Sequence, residues 1–185
     1  IFVGMAGVYQ YIPPMLGDKL TYVAGDINNN IIQFWKALQK GWIPPKKCSE
    51  KKYYKLKKSS KNTPEKTFIG YACDFRGSYY RSFDTRKNVE HQSRNSVIIS
   101  NNLNSVNFTT GSYDQFSYLR NYIIYCDPPY DKTEQYVGIK QFDSKLFWKW
   151  CKYMAKYNIV IVSEYSSPKK AVLLHSFGEE KVYLA

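Results

Sequence analysis

Asp127-Pro128-Pro129-Tyr130 sets a carboxylate, a rigid backbone carbonyl and an aromatic ring in four consecutive positions. Methylation of an exocyclic amine on a nucleobase needs this set. The amine nitrogen is a poor nucleophile because its lone pair is delocalised into the ring. Acceptors that take hydrogen bonds from both of its protons help localise that lone pair for attack. Asp127 and the Pro128 carbonyl can be those acceptors, and Tyr130 can stack on the base. The plainer reading of Pro-Pro is a loop, so the motif is a hypothesis whose confirmation lies in its context.

The context is a strand, a loop, a helix and a second strand. Tyr122-Ile123-Ile124-Tyr125-Cys126 is short and β-rich, so it reads as a buried strand that two prolines stop and stiffen. The motif therefore falls at a strand's C-terminal end, where open α/β sheets bind ligands. Asp131-Lys132-Thr133 and Tyr136 form a polar loop, after which Leu146, Phe147, Trp150, Cys151 and Met154 recur at spacings of three and four. That spacing predicts an amphipathic helix, N-capped by Asp143 or Ser144, with Phe147 and Trp150 packed in the core. Ile159-Val160-Ile161-Val162-Ser163-Glu164-Tyr165 then reads as another buried strand ending in polar residues. The order is that of a crossover unit in a parallel sheet.

On these residues the chain resembles the Dam-type family of N6-adenine DNA methyltransferases, whose catalytic signature is Asp-Pro-Pro-Tyr. It looks most like the phage and viral branch, where a Ser-Glu-Tyr follows the strand as Ser163-Glu164-Tyr165 does here. The resemblance implies an α/β fold with a Rossmann-like sheet and S-adenosylmethionine as cofactor. It also implies double-stranded DNA as partner, an adenine flipped out of the duplex, and catalytic roles for Asp127, Pro128, Pro129 and Tyr130. It assigns the cofactor to Asp127 as well.

Phe2-Val3-Gly4-Met5-Ala6-Gly7 resembles the family's cofactor loop, in which a strand runs into a Gly-containing turn and a helix. Phe2, Gly4 and Met5 are thereby candidate cofactor contacts. About twenty residues on, Tyr22-Val23-Ala24-Gly25-Asp26-Ile27-Asn28 reads as a strand ending in an acid. The resemblance places the cofactor's ribose at Asp26, with Ile27 beside it. The alternative is that Asp26 merely caps the helix carrying Ile31, Ile32, Phe34, Trp35 and Leu38. Family members usually have an acidic residue and a proline before this Phe, and an upstream segment that contributes Lys and Gly contacts. The sequence opens at Ile1, so the expectation is a cofactor pocket short of part of its cover, and Ala6 stands where many relatives have Gly.

Between the two halves the composition changes. Residues 46–66 hold nine Lys and two Glu, and residues 67–95 add five Arg or Lys against three acids. Three quarters of the formal net charge of +12 thus sits in roughly a quarter of the chain, which is the footprint of phosphate binding. The bland alternative for a lysine run is a solvated face. Tyr53, Tyr54, Phe68, Tyr71, Phe75, Tyr79, Tyr80 and Phe83 interleave the charge and are expected to build a small core for the insert. In the family that the chain resembles, a target-recognition insert falls between the cofactor half and the catalytic half, so the resemblance implies a catalytic core of residues 1–44 and 103–185 interrupted by a mainly helical, basic target-recognition insert, 45–102. Lys51, Lys52, Lys55 and Lys58 would hold phosphates, and Arg76, Tyr79 and Arg81 would contribute to base choice.

Arg86 to Leu103 is expected to be helical, and Ser105 to Thr109 alternates as a strand. Gly111-Ser112-Tyr113-Asp114 follows as a turn, and the resemblance brings Ser112 and Tyr113 to the cofactor's adenine. An ordinary αβ turn is the alternative. Lys181 to Leu184 is expected to be a last strand, antiparallel and at an edge. Cys48, Cys73, Cys126 and Cys151 show no Cys-x-x-Cys pairing and only His91 and His175 accompany them, which predicts reduced thiols and no zinc site. Direct methyl transfer needs neither a metal nor a covalent intermediate, so Cys126 reads as packing. A hydrophobic content of 44% argues against a disordered chain despite the charge. Neither a secretory signal nor an apolar run of ~20 residues is present, so the expected setting is intracellular, cytoplasmic or virus-associated. Two other functions stay open: an inactive, virus-associated DNA-binding or structural remnant of the fold, and methylation of a cytosine or a protein glutamine.

Overall fold

The computed structural model describes residues 1–17, 19–75, 79–129 and 142–185. The fold is mixed α/β, and the chain divides into two compact units: residues 3–110, and residues 111–185 together with Ile1 and Phe2.

Within residues 3–110, a 3-10 turn at Tyr9–Tyr11 leads into α1 (Ile12–Leu16), β1 (Tyr22–Asp26), α2 (Asn29–Gln39), α3 (Glu50–Lys58), α4 (Pro64–Ala72), α5 (Val89–Asn102) and β2 (Val106–Thr110). Helix starts are set by local chemistry. The side chains of Asn28, Ser49, Thr63 and Asn88 accept backbone N–H bonds from Asn30, Lys52, Lys66 and His91. β1 pairs in parallel with β2 from Tyr22↔Val106 to Asp26↔Thr110. α2 buries Ile31, Ile32, Phe34, Trp35 and Leu38. The Trp35 indole stacks on Phe108 of β2 at a centroid distance of 6.1 Å, and Phe34 stacks on Phe68 of α4 at 6.4 Å. The aromatics of residues 45–102 therefore do not enclose a small core of their own. Tyr53, Phe68, Ile69 and Tyr80 share one apolar cluster with α2, β1 and β2.

α5 buries a face of small polar residues. Ser93, Ser96 and Ser100 lie inside while Ile98 is exposed, because small hydroxyl side chains let the helix approach closely and find acceptors of their own. Ser93 Oγ donates to the Pro44 carbonyl at 2.8 Å, and Ser96 Oγ to the Gln92 carbonyl at 2.9 Å.

The second unit holds a 3-10 turn at Tyr113–Phe116, β3 (Ile123–Cys126), α6 (Ser144–Met154), β4 (Ile159–Glu164), β5 (Val172–Phe177) and β6 (Glu180–Leu184). β3 and β4 are parallel with Ile123↔Ile159 to Cys126↔Val162 in register, as a crossover through α6 requires. Asp143 is the N-cap of α6, its side chain accepting from the Leu146 N–H at 2.9 Å. Phe147, Trp150, Cys151 and Met154 are buried, but Leu146, expected on the same apolar stripe, faces solvent.

Two expectations are corrected. β6 is not an edge strand: the sheet order is β3-β4-β6-β5, and the unforeseen β5 takes the edge by turning at Gly178 and lying antiparallel on β6. No strand forms at Phe2-Val3, where Phe2 has a φ of 64° that interrupts extended backbone. Among the described residues, β1 and β2 form a two-stranded sheet in residues 3–110, and the second unit holds the four-stranded one.

Candidate active site and nucleic-acid interface

In the second unit, Asp127 follows directly on the last residue of β3 and is exposed, whereas Pro128 behind it is buried and Pro129 half-buried. Each proline fixes its own φ at the strand exit, Pro128 restricts the backbone of Asp127 before it, and burial anchors the turn. Cys126 and Cys151 are both fully buried side by side at the foot of this turn, in keeping with a packing role for Cys126. Tyr130, the ring of the motif, lies outside the described residues.

Phe2 and Tyr113, two candidate cofactor residues, are brought together in this unit at a centroid distance of 6.2 Å. Phe142 and Phe147 complete a cluster around them: Phe2 lies 5.9 Å from Phe142 and 5.6 Å from Phe147, and Tyr113 lies 5.3 Å from Phe147. The Ile1 backbone nitrogen donates to the Tyr125 carbonyl of β3 at 2.8 Å, which holds Phe2 beside that strand. Burial pushes the Tyr113 hydroxyl above its ordinary pKa. Ser112, half-buried, begins the 3-10 turn without a side-chain capping bond, so its hydroxyl is not consumed as a cap.

In the other unit, Asp26 ends β1 and is buried. One carboxylate oxygen accepts the Gly4 N–H at 3.0 Å, the other the Asn28 N–H at 2.8 Å. The structure thus joins the Gly4 loop to Asp26, and Asn28, not Asp26, caps α2. Burial raises the Asp26 carboxyl above the usual carboxylate range, and the two backbone bonds oppose that rise. The loop is held from its other side by the Trp35 indole N–H, which donates to the Gly4 carbonyl at 2.9 Å. Gly4 has a φ of 48° and open space around it, and Ala6 adopts a φ of 59°, a conformation in which glycine is the unstrained residue. Met5 is half-buried and Ile27 exposed.

The lysines of α3 divide. Lys51, Lys55 and Lys58, at spacings of four and three, share one exposed stripe over ~10 Å of helix axis. Lys52 is instead paired with Glu65 of α4, Nζ to Oε1 2.6 Å, which raises its pKa and takes up its charge. Ser49, Lys51, Lys52, Lys55, Leu56 and Glu65 line an open groove of about 390 Å³. Arg81 is exposed, but Tyr79 is half-buried between Tyr71 and Tyr80, each at a centroid distance of 4.9 Å, with its ring against the α carbon face of Gly70. Arg76 lies outside the described residues.

One acid at the site went unassigned in the sequence. Glu164, the last residue of β4, is fully buried, and its Oε1 accepts the Tyr165 N–H at 2.8 Å. Carrying the β3–β4 register two residues on sets Glu164 level with Pro128. Ser163, also fully buried, donates to Glu180 Oε1 at 2.8 Å and is hydrogen-bonded to the Tyr125 hydroxyl. The signal was present: β4 is an apolar run that ends in an acid, as β3 is one that an acid follows directly.

No family model matches the chain, and no curated protein matches it. No group of three His, Cys, Asp or Glu among the described residues could hold a metal ion, and no helix there is long and apolar enough to cross a membrane.

Proposed function

We propose that this chain is an S-adenosylmethionine-dependent methyltransferase that acts on the N6 amine of adenine in double-stranded DNA. The observation that carries this reading is the exposed Asp127 carboxylate at the C-terminal end of a strand in a parallel pair, held by a buried proline. Such an acceptor meets an amine with little reorganisation, which is how a preorganised polar group lowers a barrier.

The residues fit the cofactor. Each Asp26 oxygen accepts one backbone bond and keeps a lone pair for a ribose hydroxyl, and the space around Gly4 lets backbone approach a ligand. In the unit that carries Asp127, taken by itself, Phe2 and Tyr113 offer aromatic surface suited to a purine. When bound, S-adenosylmethionine supplies an electrophilic methyl group. Asp127 and the Pro128 carbonyl hold the two amine protons and steer the nitrogen lone pair, and the lost amine proton passes to the Asp127 carboxylate or to solvent. The α3 lysines bind phosphates.

Transfer of labelled methyl groups to an oligonucleotide duplex, with the product nucleoside identified by mass spectrometry, tests the reading. N6-methyladenine is expected. DNA binding without cofactor binding would turn the chain into a binding protein of this fold, and a methylated cytosine would move the target.

Asp26→Ala is expected to weaken S-adenosylmethionine binding by ~1–3 kcal/mol and to leave DNA affinity alone, since a buried acceptor would be removed from a polar ligand. Calorimetry with cofactor checks it, and equal affinities in parent and variant would end the ribose assignment.

Neutralising Lys51, Lys55 and Lys58 to Gln should weaken all duplexes alike and make the salt dependence shallower by up to ~0.9 for each phosphate that the protein no longer neutralises. Lys52→Gln alone should change the slope little, because Glu65 already balances Lys52. A salt titration on two unrelated duplexes reads both outcomes, and an unchanged slope in the triple variant means that the lysines form only a solvated face.

A further inference from the structure

The outer face of α6 carries a second basic stripe, in the unit that holds Asp127. Residues 144–157 contain four Lys and no acid, whereas the remainder of residues 111–185 contains six Lys or Arg against eight acids. Lys145, Lys149 and Lys152, at spacings of four and three, share one exposed side of the helix over ~10 Å of its axis. Lys156 follows, also exposed, in the turn that closes the helix. Among the described residues none of the four has an ion pair or a side-chain hydrogen bond. Two tyrosines border the stripe, Tyr153 at 42% exposure and Tyr157 at 46%. Arg120 holds both: its guanidinium lies 4.3 Å from the centre of the Tyr157 ring and reaches the Tyr153 hydroxyl at 3.5 Å. The Ser117 and Leu119 carbonyls fix that guanidinium in turn, each at 2.7 Å.

Helix stability does not account for the stripe. Like charges three and four residues apart work against a helix, and a solvated face ordinarily mixes signs. The helix dipole favours Lys152 near the C-terminus but not Lys145, which stands in a first turn that holds no acid. Asp143, the N-cap, is the acid nearest the stripe in sequence, and its carboxylate is bound to the Leu146 N–H. The chemistry of the face selects its partner. Protein interfaces are depleted in Lys. A helix lying on a lipid surface inserts its apolar face, and that of α6 is buried as Phe147, Trp150, Cys151 and Met154. A phosphate backbone requires only cations and hydroxyl donors, which Lys and Tyr supply.

We propose that the outer face of α6 binds the phosphate backbone of duplex DNA, as a surface additional to the α3 lysines. The proposal rests on the DNA partner named above and requires no methyl transfer. A duplex carries one negative charge per ~1.7 Å of its axis, so a stripe of this length meets several phosphates and releases their counterions.

A salt titration of binding to a duplex of arbitrary sequence tests the proposal. Lys149→Gln with Lys152→Gln should make the salt dependence shallower by up to ~1.8, at ~0.9 for each phosphate no longer neutralised. Lys149→Arg with Lys152→Arg keeps the charge and should keep the parent slope. Lys19→Gln with Lys40→Gln removes the same charge from exposed positions off the stripe and should change the slope little. An α6 Gln pair that flattens the slope no more than the Lys19 and Lys40 pair overturns the proposal. So does a slope lost equally in the Arg pair, which would trace the effect to packing. If neutralising Lys51, Lys55 and Lys58 flattens the slope and the α6 pair does not, DNA binding stands and this surface falls; a parent chain that binds no duplex removes both. Binding to phosphatidylserine vesicles that the α6 Gln pair abolishes, with the duplex slope unchanged, would make the face a lipid site and overturn the proposal.

Discussion

Replacing Asp127 with alanine is expected to lower the rate of methyl transfer to DNA by ~10²–10³ while DNA affinity stays within error of the parent. The effect has that size because one preorganised acceptor at a reacting centre is worth about this much. It falls on rate and not on DNA binding because the carboxylate acts on an uncharged amine, whereas phosphates are held by cations elsewhere. Stability should hardly move, since Asp127 is exposed and the turn is anchored by buried Pro128. Asp127→Asn is the sharper variant: it keeps a carbonyl acceptor of nearly the same shape and removes the negative charge, so its rate should lie between those of parent and alanine. Single-turnover kinetics at saturating DNA separate the rate from binding. Near-parent turnover by a folded Asp127→Ala protein would remove Asp127 from the mechanism.

Trp35→Ala should destabilise the protein by ~3–5 kcal/mol, the range for removal of a large buried aromatic. Trp35 is almost wholly buried and stacks on Phe108 at an interplanar angle of 8°. Trp35→Phe keeps most of that packing and loses the indole N–H to the Gly4 carbonyl, so it should cost only ~1 kcal/mol. Both are read by urea denaturation followed by fluorescence. Equal costs for the two variants would mean that the Gly4 hydrogen bond, and not the packing, dominates. The pair matters for function as well as stability, because the side chain that fills the core of residues 3–110 also fixes the loop whose amide binds Asp26.

Much of the local architecture was legible because it depends on short-range rules. Alternation and apolar runs located β1, β2, β3 and β4, and spacings of three and four located α2 and α6. Asp143 was one of two named caps and is the one used. The places of Asp127, at the end of β3, and Asp26, at the end of β1, followed from reading an acid at the end of a strand. Other features depend on neighbours distant in sequence. Periodicity put Leu146 on the inner face of α6, yet Leu146 faces solvent, and the inner face of α5, which the sequence left open, holds Ser93 and Ser96 while Ile98 is exposed. Which face of a helix is inside is decided by the element packed against it. Local charge likewise could not show that Glu65, thirteen residues on, engages Lys52.

By itself, the sequence determined the strand ends that carry Asp26 and Asp127, the concentration of positive charge on residues 46–95, and the start of α6 with its cap. Each of these is written in consecutive residues, where backbone preferences and apolar period act directly. Only the tertiary structure decided that Gly4 reaches back to Asp26, that Phe2 joins Tyr113 and Phe147, that Glu164 at the end of β4 is buried, and that among the described residues β5 and not β6 forms the edge. Those pairings join residues far apart in the chain, and their free energy comes from burial and hydrogen bonds that exist only once the elements have packed.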